Sequence, residues 1–337
     1  MIDLHLHLDG SLTPEEILQL AALSHVPLPA DDAAFLRPML EAAPDCRNLG
    51  EYLEKFQLPL QVLQTKASME QAVYFLIRRL AAQKLCYAEI RFAPQLHLQR
   101  GLTQRQVVSA AVAGLKKALD EFHFSAQLIL CCMRGEDNLA ANLETVRIAK
   151  EFLHGGACAV DLAGNEATYP TEHFAPVFAL AKALEVPSVI HAGEAAGAES
   201  VHQALQLGAR RIGHGIRSIE APPLLHLLQQ LQIPLETCYS SNLQTKAVAS
   251  RDVYPLANLL KWEIPVTVNT DNMTVSNTSL RREFALLQQH FGLSFHQLQS
   301  LACNAADAAF VTPTVAAQLK ERIRQEFSGW LRNSDPI

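Results

Sequence analysis

Apolar residues in this chain follow two alternating rhythms. Runs at residues 2–8, 85–92, 126–132, 157–163, 186–192, 209–214, 233–238 and 264–270 read as short strands. The stretches between them, among them 69–82, 107–122, 139–152 and 253–262, carry apolar positions at helical spacing. Helix starts agree with this pattern. Thr13-Pro14-Glu15-Glu16 offers an N-cap, a proline in the first turn and a capping glutamate, and Thr103 is followed three residues on by Gln106. About eight such strand–helix units is the count of a (β/α)8 TIM barrel. An extra helical stretch at 49–63 follows the first unit, and helices beginning after Ser279, Ser294 and Thr312 close the chain. No repeat, low-complexity run or linker interrupts it, so residues 1–337 are expected to form a single α/β barrel domain with C-terminal helices from about residue 279.

Composition adds limits. With 337 residues and 49% hydrophobic content the chain can bury a large core. The net charge of -6 is spread along the sequence, which argues against a nucleic-acid or anionic-membrane surface and favours a small-molecule partner. No run approaches the roughly 18 apolar residues of a membrane helix, and the start of the chain lacks the regions of a signal peptide, so a cytoplasmic location is expected. Seven cysteines (Cys46, Cys86, Cys131, Cys132, Cys158, Cys238 and Cys303) include no Cys-x-x-Cys pair and read as small buried hydrophobes. The sequence sets no oligomeric state, and a monomer is compatible with it.

Candidate chemistry collects at the strand ends. Residues 1–8 alternate polar and apolar, so His5 and His7 project from one face of the first strand. His191 ends the fifth strand, His214 ends the sixth and Asp271 follows the eighth; in a parallel barrel these ends share the catalytic face. Three neutral imidazoles and one carboxylate suit one zinc ion with a water completing its shell, which assigns His5, His7, His191 and Asp271 as ligands. Zinc lowers the pKa of such a water. Glu194, in His191-Ala192-Gly193-Glu194, and His214 remain for proton transfer. The fourth strand ends Val160-Asp161-Leu162-Ala163-Gly164, without the lysine that bridges two metals in dinuclear barrel hydrolases, so one metal is expected. The Pro-Cys-x-x-Cys signature of cytidine-type deaminases and the His-Glu-x-x-His helix of metalloproteases are both missing.

Taken in order, His5-Leu6-His7-Leu8-Asp9-Gly10-Ser11-Leu12, His191-Ala192-Gly193-Glu194, Gly213-His214-Gly215, Ser241-Asn242 and Thr270-Asp271 resemble the motifs of the adenosine deaminase family of the amidohydrolase superfamily, from residue 1 to about 310. The resemblance implies a barrel with one zinc that replaces the 6-amino group of adenosine by oxygen. Carried over, His5, His7, His191 and Asp271 bind zinc, with His7 also at the substrate. Glu194 donates a proton to purine N1, and His214 accepts or steers the proton of the water. Asp271 holds the nucleophile in line with C6, and the backbone N–H of Gly164 meets N3. Asp9 stands where family members acting on adenosine carry aspartate for the ribose hydroxyls, whereas adenine and aminofutalosine deaminases carry glutamate. The stretch 49–63 aligns with the family's apolar lid; its spacing is equally that of a packed helix.

Two positions depart from the family. Asn272 replaces a second aspartate that faces purine N7. N7 is an acceptor, so an aspartate must be protonated to serve it, while an asparagine amide can donate or turn its oxygen toward an N–H. Tyr239 stands where proline is common, and a local change after the seventh strand is expected. The charged groups of Tyr87-Ala88-Glu89-Ile90-Arg91, with Arg134 and Arg217, read as braces at the barrel rim. His97 and His202 read as structural. Two rivals stay open: a deaminase of adenine or a modified purine nucleoside, and a barrel that binds purine nucleosides without turnover. The pair of Glu194 and His214 speaks against the second, since binding alone needs no acid and base.

Overall fold

The period-two alternation of the strands has its polar face inside a ring rather than toward solvent. In the computed structural model, which describes residues 1–333, eight parallel strands follow in chain order: β1 (Ile2–His7), β2 (Tyr87–Phe92), β3 (Ala126–Met133), β4 (Ala157–Ala163), β5 (Val189–Ala192), β6 (Arg211–His214), β7 (Leu235–Thr237) and β8 (Val266–Val268). They pair as two four-stranded parallel sheets, β1 to β4 and β5 to β8, linked by single parallel bridges between Val160 and Ser188 and between Leu6 and Asp271. Helices fill the crossovers, giving the α/β barrel architecture that the sequence pattern predicts. Residues 334–337 of the expected domain lie outside the described residues.

Ile2, Leu4 and Leu6 of β1, Ile90 and Phe92 of β2, and Leu128 and Leu130 of β3 pack outward against the helices in one large apolar cluster. Between them, the inward side chains are largely polar and fully buried: Asp3, His5, Glu89, Arg91, Asp161, Arg211 and Glu236. Glu89 and Arg91 therefore do not brace the rim, as the sequence suggests; both lie inside the barrel. Arg211 pairs with Glu89 at 2.6 Å and with Glu236 at 2.6 Å, and Arg91 pairs with Glu236 at 2.9 Å and with Asp161 at 3.0 Å. Burying these ions is tolerable because each is paired. Phe310, between the last two helices, covers the bottom of this layer: its N–H donates to Glu89 at 2.7 Å and its ring lies 3.9 Å from the Arg211 guanidinium carbon.

Several strands start two or three residues later than their apolar runs. Pro187, Pro234 and Pro265 precede β5, β7 and β8; each has no N–H to give to the ladder, while its carbonyl accepts from Val160, Ile212 and Leu235 respectively. The capping boxes at Thr13 and Thr103 form as read. The helical stretch expected at 253–262 is confined to Leu256–Lys261 behind Pro255. The 49–63 stretch is broken into Leu49–Leu53, Glu54–Phe56 and Gln57–Val62, with Pro59 in the first turn of the last piece, and a further helix, Ala33–Leu40, precedes it. The three C-terminal helices are Leu280–Phe291, Phe295–Ala308 and Pro313–Asn333. Six of the seven cysteines are buried and none is bonded to another.

Removing one member of the internal ion network strands the others. Arg211→Met should lower the unfolding free energy by about 3–5 kcal/mol, read from chemical denaturation. A change below about 1 kcal/mol would show that Glu89 and Glu236 need no cation there.

Candidate active site and metal centre

The C-terminal ends of β1, β5 and β6 and the turn after β8 bring His5, His7, His191, His214 and Asp271 to one point. His7 Nε2 lies 3.2 Å from His191 Nε2, and Asp271 Oδ1 lies 3.4 Å from both His5 Nε2 and His7 Nε2. One ligand atom each from His5, His191, His214 and Asp271 also falls within 4.8 Å of the others. Donors about 2.0–2.1 Å from a tetrahedral ion stand roughly 3.3 Å apart, and the 3.2 and 3.4 Å gaps match that edge.

Each ring is aimed from behind. His5 Nδ1 donates to Glu236 at 2.8 Å, and His191 Nδ1 donates to Asp161 at 2.9–3.0 Å. Both leave Nε2 without a proton and facing the centre, the arrangement that orients metal-binding imidazoles. His5 Nε2 is buried with no hydrogen-bond partner, an orphaned acceptor of the kind that suits a cation. Burial lowers the pKa of His7 and of His191, keeping both rings neutral and competent as ligands. For Asp271, burial pushes the other way, but the close contact with the His5 ring and the charges of the histidines outweigh it and hold the carboxyl well below its usual range. The Ser241 hydroxyl donates to Asp271 Oδ2 at 2.5 Å, which leaves Oδ1 to the histidines. Gly213 makes room for this packing: a Cβ there would sit 3.0 Å from His5 Cε1 and 3.1 Å from His191 Cα.

Beside the cluster, His214 Nε2 and Glu194 Oε2 are 3.6 Å apart. Burial, then the charges of Asp271 and Glu166, push Glu194 up to about 8, so its carboxyl holds a proton at neutral pH. His214 and Asp271 both sit in the left-handed region, at φ 60° and 59°, a strained backbone that the surrounding loops must enforce. The Tyr254 hydroxyl donates to Asn242 Oδ1 at 3.1 Å, so the Asn242 amide donates through Nδ2 to His214 Nδ1 at 2.9 Å. The proton of the neutral His214 ring is thereby placed on Nε2, facing Glu194.

Next to these groups opens a cavity of about 220 Å³. His7, Asp9, Gly164, His191, Glu194, His214, Asp271 and Asn272 line it, and His5 lies buried beneath. All nine residues singled out from the sequence are thus gathered at one place. Burial raises Asp9 to about 6. Asn272 is 3% exposed and its Oδ1 has no partner. The opposite wall is apolar: Leu49, Leu53, Phe56 and Leu60 from the lid, with Leu96 from the loop after β2 and Met133 at the end of β3. Tyr52, from the same lid, bonds Ser276 Oγ at 2.7 Å.

Sequence reasoning gives no part in the site to Asp161, Glu236, Arg91 (read as a rim brace), Ser241, Asn242 or Tyr52. The first three occupy inward positions of β4, β7 and β2, where a charged residue in a buried strand was the available signal. Tyr239 changes the loop after β7 in a specific way: it opens the helix Tyr239–Gln244, packs edge-to-face with Tyr254 and Phe291, and bonds His290 at 2.5 Å, anchoring the segment that presents Ser241 and Asn242. Arg134 and Arg217 do brace loops, through Tyr169 and His191 carbonyls and through Glu220. His97 is buried and burial lowers it to about 4; His202 pairs with Gln206 on an exposed helix face.

Comparison with known proteins agrees with this construction. The family model described as adenosine deaminase matches residues 1–326. An adenosine deaminase of Haemophilus ducreyi is 47% identical over 331 residues, covering 97% of this chain and 96% of that protein. Among solved structures, the adenine deaminase from Arthrobacter aurescens superposes with a TM-score of 0.88 at 27% identity, covering 97% of this chain and 98% of that one. The N6-methyl-AMP deaminase from Arabidopsis thaliana follows at 0.83 and 26%, covering 96% of each chain. A full-length family match and a relative near half identity, on a barrel carrying this histidine and aspartate cluster, place the chain in the adenosine deaminase family.

Proposed function

We propose that the protein hydrolyses adenosine and 2'-deoxyadenosine to the corresponding 6-oxo nucleosides and ammonia, using one zinc ion held by His5, His7, His191 and Asp271. The observation that carries this reading is the unpartnered, buried Nε2 of His5 converging with His7, His191 and Asp271 beside a protonated Glu194. Zinc bound there supplies a water acidic enough to act as a nucleophile near neutral pH.

The remaining steps belong to the chain's own residues. Glu194 gives its proton to purine N1, which draws electron density from C6 and opens it to attack. His214, with its proton on Nε2, donates toward the incoming oxygen and steers it to C6; between the two roles that the sequence allowed, the Asn242 contact favours steering over proton acceptance. Asp271, ionised and oriented by Ser241, is the acceptor placed to take the proton of the water. Asp271 passes that proton to the amino group, which leaves as ammonia, while the C6 hydroxyl returns its proton to Glu194 and the N1 proton stays on the 6-oxo product. Gly164 offers its N–H to N3, Asn272 its amide to N7, and Asp9 with His7 faces the ribose.

Charge also selects among substrates. Asp9, Glu194 and Asp271 line the cavity and, among the described residues, no lysine or arginine does. A 5'-phosphate finds no partner there. The alternative, an adenine or modified-purine deaminase on the same scaffold, is favoured by Asn272, whose amide can present either polarity to the five-membered ring.

An absorbance assay with adenosine, 2'-deoxyadenosine, adenine and AMP, with and without a chelator, should show chelator-sensitive turnover of the first two; preference for free adenine would select the alternative. Glu194→Gln should keep its zinc while losing about 10²- to 10⁴-fold in kcat, and a rate near wild type would remove Glu194 from the mechanism. With 7-deazaadenosine, kcat/KM should fall roughly tenfold for one lost hydrogen bond. Undiminished turnover would show that Asn272 does not contact N7.

A further inference from the structure

The loop that carries Glu194 is gripped by a side chain that has no part in the chemistry above. Glu166 follows β4 and is 2% exposed. Its Oε1 accepts from the Gly193 N–H at 2.7 Å and the Ser200 hydroxyl at 2.5 Å. Its Oε2 accepts from the N–H groups of Glu194, Ala195 and Ala196 at 3.0, 2.7 and 2.9 Å. Four successive backbone N–H groups can meet one carboxylate only where the chain curls into a nest. Gly193 supplies the curl at φ 73°, where a Cβ would lie 2.6 Å from Val201 Cγ2. The same curl sends the Glu194 side chain into the cavity, 3.6 Å from His214 Nε2.

A helix cap does not account for this contact. The helix Ala198–Gln206 begins after the nest, with Gly197 as its N-cap and no side-chain cap. Glu166 bonds the residues before it. Metal binding does not account for it either, because both carboxylate oxygens are already engaged by neutral donors. What the contact fixes is the course of residues 193–196 and, with it, the origin of the Glu194 side chain.

We propose that Glu166 is the positioning residue for the proton donor: its carboxylate pins the 193–196 backbone and so sets the Glu194 carboxyl opposite purine N1. The proposal rests on the assignment of Glu194 as that donor. A carboxylate is required because it accepts at both oxygens, whereas a glutamine of the same shape turns one end into an NH2 that faces N–H groups. Gly164, two residues before Glu166, lines the cavity, so one short segment after β4 both borders the substrate space and aims the acid.

Glu166→Gln tests this. It should lower kcat for adenosine about a hundredfold, while KM, bound zinc and the inhibition constant of 1-deazaadenosine, which has no N1 to receive a proton, stay within about twofold. In the Glu194→Gln background it should add no further loss, because the group it aims is already disabled. Should Glu166→Gln not fold, Ser200→Ala, which removes one donor and leaves the four N–H contacts, should lower kcat about three- to tenfold with the same dependence on Glu194. Wild-type turnover in the folded Glu166 variant, or in its Ser200 substitute, overturns the proposal. So does loss of zinc and of 1-deazaadenosine binding along with kcat, or an additive loss in the double variant, each of which marks a merely structural role. If Glu194→Gln alone is fully active, the donor assignment has failed, and the Glu166 proposal with it; if Glu194→Gln is dead and Glu166→Gln is not, only the latter fails.

Discussion

The relative placement of His5 and His191 depends on Arg91. The two histidines stand on β1 and β5, in different sheets, and each is aimed by its own carboxylate. A single buried guanidinium spans both carboxylates, Asp161 at 3.0 Å and Glu236 at 2.9 Å, and also bonds the Leu4 carbonyl at 2.6 Å. A guanidinium presents its donors in a rigid planar fork, so fixing one carboxylate fixes the direction of the other. The ions of this layer do not balance: Arg91 and Arg211 face Glu89, Glu236 and Asp161, and Asp271 adds a further negative charge above them. A cation among the imidazoles would offset that excess, which would make the centre and the layer beneath it one electrostatic unit.

Much of this was legible in the sequence because period-two alternation survives inside a barrel. All eight strands and the main helices appear where the apolar rhythm puts them, and the ligand candidates stand out because histidine is conspicuous at the end of an apolar run. What the rhythm cannot say is which way a strand's polar face looks. Glu89 and Arg91 read as rim residues because charge is ordinarily solvated; they are interior because the ring encloses enough partners to pair them. Asp161 and Glu236 were hidden for the same reason. Strand starts were misplaced where a proline contributes its carbonyl to the ladder but no N–H, a distinction that lies in bonding rather than hydropathy.

Loop geometry was less legible still. Glu166 looks like an ordinary surface acid in Gly164-Asn165-Glu166, and only the curl of a different loop, thirty residues on, turns it into an acceptor for five donors. Asn242 likewise decides which nitrogen of His214 carries a proton, through a contact 28 positions away in sequence. Long-range polar contacts of this kind follow from the fold and leave no periodic trace.

The lid has a small core of its own. Cys46, Leu49, Tyr52 and Val275 form an apolar cluster separate from the large one around the barrel, held to the turn after β8 by the Ala42 N–H on the Val275 carbonyl and by Tyr52 on Ser276. Residues facing the substrate on that side can be exchanged without disturbing the packing that keeps the strands in register. Divergence on such a scaffold is inexpensive: a descendant could acquire a differently shaped roof over an unchanged reaction centre, and a shared barrel among deaminases of free bases, nucleosides and nucleotides is what that freedom would produce.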